Sequence, residues 1–112
     1  MKSPFVVNCQ TDDYDVYVGR PSEWGNPFVI GVHGTRTEVV LWHREWLDGL
    51  RLGPHDEEPP TREYIRVSLR GKRLGCWCRA DQECHADYLA FLANPPPWRI
   101  IKPIDNAILE TD

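Results

Sequence analysis

The stretch LGCWCRADQECHADYLAFL brings three of the four cysteines of this chain together with a histidine: Cys76, Cys78, Cys84 and His85. Thiolate sulfur and imidazole nitrogen are common ligands of structural zinc sites, and a thiolate can also act as a nucleophile. Cysteine is equally frequent in apolar cores. The residue types alone therefore allow a zinc site, a reactive or anion-binding site, or a stretch of core.

The zinc interpretation takes all four side chains as a Cys3His ligand set. Their number and types fit a structural site, but the spacing departs from the usual C-x2–4-C pairs. Cys76 and Cys78 are separated by a single residue, and Cys84 and His85 are adjacent. Adjacent residues of a helix diverge by about 100°, so Cys84 and His85 would reach one ion only with distortion. A zinc cofactor therefore belongs to an alternative hypothesis. The leading hypothesis, a site that binds a small anionic ligand, includes no cofactor.

The reactive interpretation places Cys78 or Cys84 beside the N-terminus of a helix. Such a terminus lowers the pKa of a nearby thiol, and its free N–H groups can bind an anion. His85 would act as an acid–base partner, and Asp87 would orient a group in the site. These four are the candidate catalytic residues for a transfer or hydrolysis reaction. The same arrangement could instead bind an anion without turnover.

The third interpretation assigns the cluster to the core. Small cysteine side chains suit a strand packed under a helix, and His85 would then be a core histidine bonded to a backbone carbonyl. Cys9 and Cys76 fit this description even if the other residues form a site.

A second polar segment, GRPSEWGNPF at 19–28, supplies groups that could bind a ligand. Its predicted ligand-binding residues are Arg20, Ser22, Trp24, Gly25 and Asn26. The guanidinium of Arg20 suits a carboxylate or phosphate, Gly25 allows close backbone approach, and Trp24 offers a flat face to a nucleobase. The alternative is a turn pinned over the core, with Trp24 as its plug and Asn26 bonded to its own backbone.

Hydrophobic periodicity and capping signals give the expected secondary structure. Thr35 and Glu38 form a capping box, and Thr61 and Asp81 are further candidate caps. Strands are predicted at 5–8, 15–20, 28–32 and 73–78, and helices at 36–50, 61–69 and 82–93. The helix at 36–50 would carry one apolar stripe, formed by Val39, His43, Trp46 and Leu50.

Strands alternating with helices predict an α/β fold: a small, mostly parallel sheet with about three helices, arranged as a Rossmann-like layered single domain over 1–94. The Pro-rich extension 95–112 would form an edge strand or contact a partner. Ligands of such sheets bind outside the carboxyl ends of the strands. Both polar segments follow strands, so we expect them to meet there around a small anionic ligand, a nucleotide or nucleotide derivative. Neither G-x-x-x-x-G-K-[ST] nor G-x-G-x-x-G occurs in the chain.

The composition and charge of the chain indicate which kinds of partner it is expected to bind. No apolar run approaches the length of about 20 residues that a membrane span needs, and the apolar stretch at the start is too short for a signal peptide. We therefore expect a cytoplasmic protein with reduced thiols and no membrane partner. A net charge of −4 argues against general nucleic-acid binding. The alternative, a zinc-stabilised module that binds nucleic acid or a protein, would use a basic cluster of Arg66, Arg70, Lys72, Arg73 and Arg79.

Two motifs together, G-R-P-S-x-W-G-N-P-F and L-x-G-x-x-L-G-C-W-C…C-H-A-D-x-L, resemble a family known as domain of unknown function 4326, whose members are small proteins of bacteria and their phages. The resemblance covers roughly 15–93. One departure is ADQE before Cys84, where relatives are expected to have a proline-containing turn. The resemblance implies a compact α/β fold and a shared site, and it supplies no reaction, cofactor or catalytic residue.

Overall fold

The computed structural model describes residues 3–78 and 82–95. The predicted cap Asp81, residue Arg79 of the basic cluster and nearly all of the extension 95–112 lie outside this part of the chain. Within it the chain forms an α/β fold with an all-parallel three-stranded sheet and three helices, as predicted. The strands are β1 (Val6–Asn8), β2 (Val16–Tyr17) and β3 (Leu74–Cys76), and the helices are α1 (Arg36–Leu47), α2 (Arg62–Leu69) and α3 (His85–Ala93).

The strand order β1-β3-β2 puts the last strand of the sequence at the centre of the sheet. Leu74 is paired with Val6 on one side and with Val16 on the other. Every residue of β3 is buried, which fits its small and apolar sequence LGC. Because all three strands are parallel, their carboxyl ends share one edge. At that edge β3 leads into the cysteine cluster and β2 leads into the Arg20 loop.

The predicted capping box begins α1. Thr35 Oγ1 accepts from the Glu38 backbone N–H at 3.2 Å, and Glu38 Oε1 accepts from the Thr35 N–H at 2.9 Å. The helix ends at Leu47 and not at residue 50, since Gly49 adopts a left-handed φ of +80°. Leu50 was expected on the buried stripe, and this is wrong: its side chain is 78% exposed.

The predicted strand at 28–32 is also wrong. Phe28 is buried, but Ile30 makes only an isolated bridge with Gly34. Gly31 has a φ of +83°, which turns the chain back on itself, and the Val29 N–H bonds to the His33 ring and not to a neighbouring strand. A glycine in a left-handed conformation interrupts an apolar run that otherwise reads as a strand.

Helix α2 matches its prediction: Thr61 caps it, and Gly71 follows its end with a φ of +72°. Helix α3 begins three residues later than predicted, at His85, with Cys84 as its N-cap. Its apolar residues pack against the sheet and against α1 and α2, so α3 lies at the centre of the molecule. The first turn of this central helix is thereby held against the carboxyl edge of β3.

Among the described residues, no helix is both long enough and apolar enough to cross a membrane.

Candidate functional site

A cavity of about 210 Å³ lies at the carboxyl edge of the sheet, where the two polar segments meet. Arg20 and His85, which belong to different segments, line the same cavity. The parallel strands thus bring together residues that are 65 positions apart, as the edge rule for parallel sheets predicts. Lining residues with functional side chains are Arg20, Arg36, Cys76, Cys78, Cys84 and His85.

Three thiols converge at the base of this cavity. The Sγ atoms of Cys76, Cys78 and Cys84 all lie within 4.8 Å of one another, and those of Cys84 and Cys76 are 3.3 Å apart. Cys76 and Cys78 come from the end of β3 and the residues directly after it, and Cys84 arrives from the start of α3. All four cysteines of the chain, Cys9 included, are free thiols. A convergence of three thiols at this distance could hold a metal ion.

The backbone conformation of Cys84 bears on the objection that Cys84 and His85 are adjacent; of the two, Cys84 belongs to the group of three residues that could hold an ion. As N-cap, Cys84 is extended, with φ −145° and ψ 137°, so the rotation between helical neighbours does not separate it from His85. Cys84 Sγ lies 4.0 Å from Nδ1 of His85. Adjacent residues can therefore direct a sulfur and a ring nitrogen toward the same region.

Backbone contacts fix the orientation of the His85 ring. Its Nε2 lies 2.7 Å from the carbonyl oxygen of Val18, and since a carbonyl only accepts, Nε2 carries the proton. The lone pair is then on Nδ1, the nitrogen near Cys84. Burial lowers the pKa of His85 and outweighs the hydrogen bond to Val18, which acts in the opposite direction. The neutral imidazole with a free Nδ1 is the form that binds a metal.

Within the thiol cluster, the pKa of Cys78 is lowered. Hydrogen bonds from Cys76 and Cys84 lower the pKa of Cys78, and Arg36, whose Nη1 donates to Cys78 Sγ at 3.6 Å, lowers it further. Hydrogen bonding to Cys76 and Cys78, together with burial, raises the pKa of Cys84. Cys78, and not the helix N-cap Cys84, is therefore the thiol of the group whose surroundings favour deprotonation.

Arg20 contributes a positive charge at the cavity. Its Nη1 donates to the backbone carbonyl of Asn26 at 3.0 Å, and its side chain is exposed. Among residues 3–78 and 82–95, no carboxylate lies within ion-pair distance of it. A guanidinium held by a neutral carbonyl keeps its full charge for an incoming anion.

The remaining predicted ligand-binding residues shape the Arg20 loop. Trp24 is buried and stacks on Tyr64 of α2 with ring centroids 5.1 Å apart, so it plugs the core and does not line the cavity. Ser22 Oγ accepts from the Trp24 N–H. A Cβ on Gly25 would lie 3.1 Å from the Cα of Arg20, so glycine lets the loop close here without displacing Arg20.

Asn26 lines the cavity, but its side-chain amide is used within the protein. Nδ2 donates to the Val39 carbonyl at 2.9 Å, and Oδ1 accepts from the Phe28 N–H at 2.9 Å. The side chain is buried and ties the loop to α1. Asn26 thus positions Arg20, whose own bond goes to the Asn26 carbonyl.

Replacing Asn26 with alanine is expected to lower the free energy of unfolding by about 1–3 kcal/mol, the cost of leaving a buried backbone group unpaired. Asn94→Ala is the matched control, because Asn94 also makes two side-chain hydrogen bonds but lies nearer to solvent, which can replace them. Urea denaturation of both variants measures the difference. Equal destabilisation would contradict the role assigned to Asn26.

Asp87, predicted to orient a group in the site, lies elsewhere. Its Oδ1 accepts from the Ser3 N–H at 3.1 Å and joins the start of the chain to α3. It does not line the cavity, although its charge acts on His85.

Among the cavity residues that sequence reasoning missed, Arg36 and Trp77 bear most on function. Arg36 is the first residue of α1, and the capping box at Thr35 marks where that helix begins, though not which edge of the sheet it faces. Trp77 sits between two cysteines, and its exposure of 58% is unusual for so large an apolar side chain.

Behind the site, His43 packs its ring against His85 with centroids 5.1 Å apart and planes nearly perpendicular. His43 is buried, and neither ring nitrogen has a hydrogen-bond partner among the described residues. Burial lowers the pKa of His43, so the ring is neutral. This apolar use of a histidine agrees with its prediction as part of the buried stripe of α1.

Comparison with known proteins places the chain in one family. An uncharacterised 12.4 kDa protein from the nrdA-td intergenic region of Enterobacteria phage T4 is 29% identical over 89 residues, which cover 80% of this chain and 76% of the phage protein. No solved structure matches the chain. The family described as Domain of unknown function (DUF4326) matches residues 7–95, which include both motifs and every cavity residue named above. The chain therefore belongs to the DUF4326 family.

Proposed function

We propose that this domain binds one zinc ion through Cys76, Cys78, Cys84 and Nδ1 of His85. The observation that carries the proposal is the approach of three Sγ atoms to within 4.8 Å of one another. Three thiolates and one imidazole form a common structural zinc set. His85 adds the pattern expected of a ligating histidine, because its other ring nitrogen is bonded to a backbone carbonyl.

Zinc would stabilise the fold by joining the end of β3 to the start of α3, because these two elements contribute different ligands. Binding requires deprotonated sulfur, and the low pKa of Cys78, which its hydrogen bonds from Cys76 and Cys84 produce, already favours the first thiolate. A reducing cytoplasm, the location we infer for this chain, keeps such thiols available.

Elemental analysis of the purified full chain tests this directly. We expect about one zinc per chain, and chelation should unfold the protein because metal binding and folding are coupled in such sites. Protein that contains no zinc and is equally stable with and without chelator would overturn the proposal.

A second function is favoured by the cavity itself: binding of a small anionic ligand of the nucleotide class. Two guanidinium groups, those of Arg20 and Arg36, line it. Arg36 is engaged by Cys78 and by the Glu83 carbonyl, whereas the partner of Arg20 within the described part of the chain is a neutral carbonyl. We therefore assign the anion, a phosphate or carboxylate, to Arg20.

Calorimetric titration of the zinc-loaded chain with ribose 5-phosphate measures this binding. We expect saturable binding that weakens as salt is added, because a guanidinium–phosphate attraction is screened. The absence of binding at low salt would contradict the assignment.

A further inference from the structure

The indole of Trp77 lies at the rim of the cavity and is 58% exposed. Large aromatic side chains mostly bury their rings, as Trp24 and Trp46 do in this protein. Within residues 3–78 and 82–95, no other aromatic ring stacks on the indole of Trp77. An aromatic surface is thus presented to solvent beside a cavity that contains a guanidinium.

Hydrogen bonds hold this ring in place. Nε1 of Trp77 donates to the hydroxyl of Tyr17 at 2.7 Å, and that hydroxyl donates to the carbonyl of Arg20 at 2.9 Å. The chain of bonds connects the indole to the residue assigned to the anion. Since its N–H already has a partner, the group that Trp77 offers to a ligand is its π face, in a fixed orientation that costs little further ordering on binding.

Cavity size indicates which part of a ligand would enter. Pockets that enclose a drug-sized molecule measure about 300–1,000 Å³. At about 210 Å³, this cavity can hold a phosphate and part of a sugar. The rest of a nucleotide, including its base, would remain at the rim, where Trp77 lies.

We propose that Trp77 is a stacking platform for the base of a nucleotide whose phosphate binds at Arg20; this rests on the anion-binding function proposed above. Stacking on an indole accepts any base, because every base has a π face. The site would therefore select nucleotides over sugar phosphates without selecting strongly among bases. Trp77 takes the stacking role that the sequence suggested for Trp24. Trp24 itself is packed in the core against Tyr64.

Calorimetric titrations of the zinc-loaded full chain with AMP and with ribose 5-phosphate separate the base from the phosphate. The wild-type protein should bind AMP about 5- to 150-fold more tightly than ribose 5-phosphate, the range for one base–aromatic stack. Trp77→Ala should lose this preference and keep its affinity for ribose 5-phosphate, and Trp77→Phe should retain part of it. Tyr14→Ala is the matched control, an exposed aromatic residue that does not line the cavity.

The outcomes distinguish this inference from the function on which it rests. Equal affinity for AMP and ribose 5-phosphate in the wild-type protein, or a preference for AMP that survives in Trp77→Ala, would overturn the stacking role and leave anion binding intact. If neither compound binds the wild-type protein, both proposals fail. Circular dichroism and thermal melting verify that each variant is folded, as expected for a residue so exposed.

Discussion

Serine in place of Cys84 is expected to abolish stoichiometric zinc binding and to unfold most of the protein at room temperature. Cys84 is buried, its sulfur lies 3.3 Å from that of Cys76, and a hydroxyl is a much poorer zinc ligand than a thiolate. Structural zinc contributes about 10–16 kcal/mol of apparent binding free energy in small zinc-finger peptides. The net stability of a whole domain is only about 5–15 kcal/mol. Loss of one ligand can therefore cost most of the fold.

Zinc content by elemental analysis and urea denaturation, with and without added zinc, measure this effect. Cys9→Ser is the matched control: Cys9 is half-buried and lies outside the convergent cluster, so this variant should keep its zinc and change in stability by less than about 1 kcal/mol. Added zinc should stabilise metal-free wild-type protein and leave Cys84→Ser unaffected. A Cys84→Ser protein that still holds one zinc per chain would contradict the ligand set.

The second large effect is expected at Arg20. Arg20→Ala should weaken the binding of ribose 5-phosphate by about 10- to 150-fold, the value of a hydrogen bond to a charged group. Because Arg20 is exposed and its side chain bonds, among the described residues, only to the Asn26 carbonyl, the fold should lose little stability. The salt dependence of binding should also diminish, since a charged contact is removed.

Arg66→Ala is the control for Arg20. Arg66 is exposed on α2, belongs to the basic cluster that the nucleic-acid alternative would use, and does not line the cavity. Its replacement should leave ribose 5-phosphate binding unchanged. Equal losses in the two variants would mean that general surface charge, and not the cavity, attracts the anion.

Elements with strong local signals could be predicted from the sequence. The capping box at Thr35 and the glycine after α2 each act within a few residues, and both form as expected. The parallel sheet followed from alternating strands and helices, and it brought Arg20 and His85 to one edge. Sequence patterns predicted the structure correctly where interactions within a single hydrogen-bonded turn determine it.

Failures occurred where the outcome depends on contacts between distant residues or on one backbone conformation. The apolar run at 28–32 reads as a strand, but the left-handed Gly31 turns it. Trp24 and Trp77 are the same residue type, so the sequence does not distinguish them. The stacking of Trp24 on Tyr64 buries Trp24, and Trp77 is the one that remains exposed to a ligand. The partner of His85, the Val18 carbonyl, is 67 residues away in the chain.

The start of α3 had the greatest consequence for the site. Asp81 is a good N-cap by residue type, and a helix from residue 82 would have put Cys84 and His85 on diverging faces. In the structure the helix begins at His85, and the extended Cys84 places its sulfur in the cluster and 4.0 Å from Nδ1 of His85. A shift of one turn in a helix boundary, which sequence patterns resolve poorly, thus decided that the sulfur of Cys84 joins those of Cys76 and Cys78.

X-ray absorption at the zinc K edge of the purified full chain tests the central claim most directly. The proposed site predicts three sulfur neighbours at about 2.3 Å and one nitrogen at about 2.0–2.1 Å from each zinc. Zinc surrounded only by oxygen and nitrogen, or a chain that carries no zinc, would contradict it.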